Sequence, residues 1–231
     1  MVSGDVPLVR MRRASKIYTR GAREVVALDE IDLEVGGGEL LAITGPSGSG
    51  KTTLLCLLGC LDRPSRGEVR LAGRDLNELS DAQASRLRNR TIGFVFQSFH
   101  LIPQLTVLEN VLTPLLYGEV PQSEWQGRAE QALERVGLAR RADHRPSELS
   151  GGEAQRAAIA RALVTEPSLI LADEPTGNLD SATGETIASL LLSLRREGRT
   201  IVLVTHNDAL ARRADRVVAL RDGRIAAEPA S

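Results

Sequence analysis

The stretch Gly45-Pro46-Ser47-Gly48-Ser49-Gly50-Lys51-Thr52 constrains this chain more than any other. It follows the apolar run Glu39-Leu40-Leu41-Ala42-Ile43-Thr44, which suits a strand covered on both faces, and precedes a segment, Thr52 to Leu61, that reads as a helix. A glycine-rich turn in that setting lets backbone N–H groups curl around an oxyanion, and the helix start adds a partial positive charge. The spacing G-x-x-x-x-G-K-[ST] is the phosphate-loop pattern, here with its required strand before and helix after. Gly45, Pro46, Ser47, Gly48, Ser49, Gly50, Lys51, Thr52 and Thr53 are therefore expected to line a nucleoside triphosphate. Lys51 reaches the β- and γ-phosphates and the Thr52 hydroxyl takes part in holding magnesium. Lysine occurs only at Lys16 and Lys51 among the 29 basic residues, so the loop keeps a compact ammonium where arginine is otherwise the rule.

The rest of the chain reads as an α/β core. Residues around Val9 and Met11, and Ile31-Asp32-Leu33-Glu34-Val35, alternate like half-buried strands, and Gly36-Gly37-Gly38 is a turn. Gly67 to Leu71 and Thr91 to Phe96 are further strand candidates. From Ser98 to about Leu163 helices and loops take over, punctuated by Pro103, Pro114, Pro121 and Pro146. Ser168 to Ala172 and Thr200 to Thr205 are short apolar runs separated by a helical pattern over Gly184 to Arg196, the order that builds a parallel sheet. Asp222-Gly223 between Val217–Leu220 and Arg224–Ala226 signals a hairpin.

Composition narrows the function classes. With 231 residues, 42% of them hydrophobic, the chain is long enough for one large domain that folds as a soluble globule. A net charge of -1 gives no support to general nucleic-acid binding. No run approaches the roughly 20 apolar residues that span a bilayer, and Met1 to Arg13 lacks the apolar core of a secretory signal, so a cytoplasmic location without membrane insertion is expected. Cys56 and Cys60, the only two cysteines, read as small buried residues rather than a disulfide or metal pair.

Further motifs sharpen the picture. In Leu169-Ile170-Leu171-Ala172-Asp173-Glu174, four apolar residues bury a strand and two carboxylates emerge at its C-terminal end, where open α/β sheets bind ligands. Asp173 is expected in the magnesium shell, and Glu174 orients and polarises the attacking water. A second phosphate-type helix start, Leu149-Ser150-Gly151-Gly152-Glu153, lies far downstream of the first.

The order GPSGSGKT, LSGGE, LILADE and Asn178-Leu179-Asp180 resembles the ATPases of ABC transporters over essentially the whole chain. The resemblance implies a P-loop core with a mainly parallel sheet, an N-terminal antiparallel β subdomain and an inserted α-helical subdomain. It implies one ABC ATPase domain over 1–231, with core and β subdomain in 1–97 and 164–231 and the helical insertion in 98–163. It also implies a head-to-tail homodimer, formed with ATP, in which Ser150, Gly151 and Gly152 of one copy close over ATP held by the other. Asp180 then reaches across to the partner's P-loop. Tyr18 resembles the aromatic that stacks on adenine, Gln97 the glutamine that touches magnesium or its water, and His206 the histidine that contacts the γ-phosphate and holds Glu174. Two departures are small: Thr52 stands for the commoner serine, and Glu153 stands where many relatives carry glutamine.

GCLDRPSRGEV, GFVFQSFHLIP, LTVLENV and ADEPTGNLDS look most like the macrolide-export and lipoprotein-release group. Such an ATPase works through a separate integral membrane permease, on the inner face of the membrane. Phe99, Leu101, Ile102 and Leu105 beside Gln97 are candidates for a groove that receives a permease helix, or for the lobe's own core. Two alternatives stand beside export: regulation of a cell-envelope process through a permease-like partner, and a soluble DNA-repair or translation ATPase. The latter class shows coiled-coil insertions, zinc cysteines, tandem units or basic tracts, which this sequence lacks.

Overall fold

A computed structural model of the chain describes residues 6–21 and 23–226. Its elements begin with strands β1 (Val9–Arg20), β2 (Arg23–Val35) and β3 (Leu40–Thr44), then helix α1 (Lys51–Leu58), β4 (Arg66–Leu71) and β5 (Arg74–Asp75). There follow α2 (Asp81–Thr91), β6 (Ile92–Phe96), α3 (Val107–Leu112), α4 (Gln122–Arg135) and α5 (Gly151–Leu163). The last elements are β7 (Leu169–Asp173), α6 (Ser181–Arg196), β8 (Thr200–Val204), α7 (Asp208–Ala211), β9 (Arg216–Arg221) and β10 (Arg224–Ile225). Backbone contacts divide the chain into two compact units, Met1–Ser85 with Thr200–Ser231, and Arg86–Arg199.

In the first unit, β2, β1, β4 and β5 form an antiparallel sheet in that order. Alternation along β1 buries Val9 and Met11, while register shifts between Met11 and Ile17 bend the strand. The unit's parallel part has β3 between β8 and β9, with Ile43 opposite Val204 on one side and Val218 on the other. Leu40 to Ile43 and all of β8 are buried, as continuous apolar runs in a doubly covered sheet must be. The Asp222-Gly223 turn joins β9 to β10 with both residues at positive φ, 49° and 76°, which a two-residue hairpin with the twist of its strands needs.

In the second unit, β6 and β7 run parallel from Ile92 opposite Leu169 to Phe96 opposite Asp173. Helix α5 packs against β6, α3, α4 and α6. Its buried face is largely alanine (Ala154, Ala157, Ala158, Ala160, Ala162), which permits close approach from several sides. Asn110, wholly buried on α3, shapes the preceding loop. Its carbonyl accepts the Ile102 amide at 2.7 Å, and its nitrogen donates to the carbonyls of Ile102, Leu105 and Thr106.

Two elements differ from the sequence reading. Helix α1 stops at Leu58, three residues short of the expected Leu61, because Gly59 ends it and Cys60 turns to φ 52°. Helix α2 was not foreseen: DAQASRLRNRT has no apolar stripe. Its start is fixed by a reciprocal pair, Ser80 N donating to Gln83 Oε1 and Gln83 N to Ser80 Oγ, and its charges run acidic at the first turn to basic at the last.

Candidate nucleotide site

The loop from Gly45 to Gly50 joins β3 to α1. Gly45, Gly48 and Gly50 take φ of 146°, 79° and 104°, a backbone that side chains rarely tolerate. A Cβ at Gly45 would lie 2.1 Å from the Leu220 carbonyl oxygen, and one at Gly50 2.6 Å from that of Ala27, so conformation and packing both demand glycine. Lys51 folds back across the loop and donates to the carbonyls of Gly45 and Pro46, each at 2.8 Å. Helix α1 has no side-chain cap and no acidic residue in its first turn, leaving its N–H groups and dipole for an external anion. The buried Ser49 hydroxyl finds no partner among the described residues, a further donor inside the loop. These features fit a polyphosphate.

Tyr18, on β1, is 37% exposed, and its hydroxyl donates to Asp62 at 3.2 Å. Burial, then the negative charge of Asp62, push its pKa up. Lys16 Nζ lies 5.1 Å from the ring centre, a cation–π distance, and also pairs with Asp62 at 2.5 Å. Burial works against the charged Asp62, yet the hydrogen bond from Lys16 holds it below its ordinary value. The Thr53 side chain on α1 acts in the opposite direction on Tyr18 and lowers its pKa, so it offsets part of that residue's rise. His206 follows β8, where Thr205 N donates to Ile43 O at 3.1 Å. His206 and the loop therefore follow neighbouring parallel strands at the same, C-terminal, end.

In the second unit, the register of β6 and β7 brings Gln97 and Asp173 to adjacent strand ends. Gln97 Nε2 donates to Asn178 Oδ1 at 3.0 Å and Asn178 Nδ2 donates to Gln97 O at 3.1 Å. That tie uses the Gln97 side-chain nitrogen and leaves the amide oxygen as the side chain's acceptor group. The amide oxygen and the Asp173 carboxylate are hard donors of the kind magnesium takes. Glu174 sits at φ 47°, a costly conformation for a residue with a side chain, and Gly177 N donates to its carbonyl.

The same unit brings Ser150, Gly151, Gly152 and Asp180 together. Ser150 caps α5 and Asp180 caps α6, its carboxylate accepting from the amides of Ala182 and Thr183 and from the Thr183 hydroxyl. The Thr183 hydroxyl, then its amide, hold the Asp180 pKa below its usual value. A Cβ on Gly152 would lie 2.4 Å from Thr183 Cγ2, so glycine lets the two helix starts close together. Three residues escaped the sequence reading. Gln155 of α5 donates to the Pro175 carbonyl at 2.7 Å, beside Glu174. Arg161 donates to the carbonyls of Phe99 and His100. Arg141 reaches Glu153 at 3.0 Å. Each sits in an alanine- or arginine-rich run with no local signal for which polar residue points inward.

A glycine loop of this geometry between a parallel strand and a helix, with its lysine drawn across it, defines a P-loop nucleoside triphosphatase. Residues 28–177 match the sequence model of the ABC transporter family, and the chain belongs to that family. It is 52% identical over 219 residues to the lipoprotein-releasing system ATP-binding protein LolD of Xanthomonas campestris pv. campestris (strain 8004), covering 94% of this chain and 92% of LolD. It is 47% identical over 228 residues to the macrolide export ATP-binding/permease protein MacB 1/2 of Paracoccus denitrificans (strain Pd 1222), covering 99% of this chain and 34% of that longer protein. Among solved structures, the dimeric ATP-binding cassette MJ0796, in a post-hydrolysis state bound to ADP and Pi, superposes with a TM-score of 0.86 at 45% identity, covering 95% of this chain and 97% of that one. The chain is accordingly an ATP-binding, ATP-hydrolysing subunit with magnesium as the partner ion of its substrate. No helix among the described residues is long and apolar enough to cross a membrane.

Proposed function

We propose that two copies of this chain close around two ATP molecules and drive a separate membrane permease of the export or lipoprotein-release type, on the membrane's inner face. The observation that carries the reading is the near full-length identity with LolD, 52% over 94% of the chain. The domain is read as one ABC ATPase unit over 1–231, with the helical insertion in 98–163.

In this mechanism the amides of Gly45 to Gly50 and the Lys51 ammonium bind the β- and γ-phosphates, with Pro46, Ser47, Ser49 and Thr53 lining the loop and Tyr18 against the adenine. Thr52, Gln97 and Asp173 hold magnesium, which when bound offsets phosphate charge. Glu174 orients the attacking water and takes its proton, and His206 contacts the γ-phosphate and steadies Glu174. Ser150, Gly151 and Gly152 meet the γ-phosphate of the partner's ATP, and Asp180 meets the partner's loop. Phe99, Leu101, Ile102 and Leu105 are read as part of the permease-facing groove. Ile102, 38% exposed, is the residue of the four with most free surface.

Glu174→Gln tests the reading. It should retain ATP binding, lower turnover by a factor of about 10²–10⁴ and trap a stable dimer in magnesium-ATP. A variant that stays monomeric at saturating nucleotide would refute the two-copy site.

A further inference from the structure

We infer that Arg141 is a positioning residue for the tip of α5: its guanidinium neutralises Glu153, so that a helix start built around a carboxylate can still accept a phosphate. The inference rests on the reading of that tip as the part that meets the partner's ATP.

A helix N-terminus attracts anions through its free N–H groups and its dipole. At α5 a carboxylate of the chain itself has taken that place. Glu153 Oε2 accepts from Ser150 N at 2.9 Å and from Ser150 Oγ at 2.8 Å, while Ser150 Oγ accepts from Glu153 N at 3.3 Å. The backbone bond from Ser150, then the bond from its hydroxyl, lower the Glu153 pKa, so the group is an anion at neutral pH. Alone, this carboxylate would cancel the attraction of the helix start, repel an incoming phosphate and draw the single Ser150 hydroxyl proton to itself. P-loop helix α1 has no acidic residue in its first turn, so only the second phosphate site carries this obstacle.

Arg141 removes it. The residue ends a short 3-10 turn, Ala139–Arg141, and its Nε meets the other Glu153 oxygen, Oε1, at 3.0 Å. Its Nη1 lies 2.9 Å from His144 Nε2, which holds the far side of the guanidinium when that nitrogen is the accepting one. With Arg141 on Oε1, the Glu153 side chain is neutralised as a pair and its pull on the Ser150 proton weakens. Asp180 caps α6, whose Thr183 lies against Gly152 of this tip, and its carboxylate already has the Thr183 hydroxyl and two α6 amides. The Arg141–Glu153 pair is partly exposed and adds little to folding stability. Its effect should therefore appear in ATP-dependent association, not in melting.

The test uses the full chain carrying Glu174→Gln and follows dimer formation by light scattering as ATP-magnesium is titrated. Arg141→Ala should raise the ATP concentration at half-dimerisation on the order of tenfold, leaving nucleotide binding by the monomer and the melting temperature unchanged. Adding Glu153→Gln to Arg141→Ala should bring the midpoint back to within about twofold of Glu153→Gln alone, since no carboxylate then needs a partner. An Arg141→Ala midpoint equal to the parent, or a defect that persists in the double variant, overturns the inference while the two-copy site stands. A parent that does not dimerise with ATP at all brings down both.

Discussion

Lys51 illustrates how a single side chain waits for its ligand. Its ammonium is held by two neutral carbonyls of its own loop, and phosphate oxygens, being charged, are stronger acceptors. Replacing it with alanine should cost about 1.5–3 kcal/mol of ATP binding, roughly ten- to 150-fold in affinity by calorimetric titration. Affinity within twofold of the parent would remove Lys51 from the site. Gln155 presents the opposite case, a fully buried amide with its nitrogen bonded to Pro175 O and its oxygen without a partner among the described residues. Gln155→Met loses one bond and also removes the orphaned oxygen, so urea denaturation should find a change within about 1 kcal/mol. Gln155→Glu faces the Pro175 carbonyl with a buried carboxylate and should cost about 3 kcal/mol or more. Equal stability of the two variants would mean that the side chain leaves the interior.

At the level of elements, α5 does more than its sequence announces. Ser150 caps the helix at its start, while Gln155 one turn in and Arg161 near its end each fasten a different neighbouring segment. Arg161 holds the carbonyls of Phe99 and His100, consecutive residues at φ 60° and 49°. Burial lowers its pKa, so its charge is kept by those bonds rather than by water. Arg161→Ala should remove about 2–3 kcal/mol and lower the melting temperature by roughly 5–10 °C. A shift under 2 °C by calorimetry, about what a surface change gives, would contradict the assigned hold. The caps of α5 and α6 add a pH dependence. Glu153 and Asp180 are both held below the ordinary carboxylate range, so their contribution is complete above about pH 4.3 and is lost as pH falls through the lowered values. Asp180→Asn should flatten part of the acid limb of stability against pH.

These elements also mark where the sequence was informative. The glycine loop, the apolar strands β3, β7 and β8 and the Asp222-Gly223 hairpin were legible, because spacing and periodicity report local geometry directly. Helix α2 was not, since charge and capping rather than an apolar face define it. Nor were the Arg141, Gln155 and Arg161 contacts, which depend on segments up to 62 residues away.

On the scale of the whole molecule, the proposal makes each reaction centre a property of two chains, and symmetry gives a way to test it. Lys51→Ala disables the loop of its own chain, whereas Ser150→Arg blocks only the tip offered to the partner. Each pure variant should be inactive, because both sites of its symmetric dimer carry the lesion. In a mixed dimer the two lesions fall in the same composite site, and the other site receives an intact loop and an intact tip. An equal mixture of the two inactive proteins should therefore regain roughly a quarter of parental ATP turnover if chains exchange freely and sites act independently. A site completed within one chain predicts no recovery at any ratio, so a mixture that stays inactive while native mass spectrometry shows mixed dimers would rule out the shared arrangement.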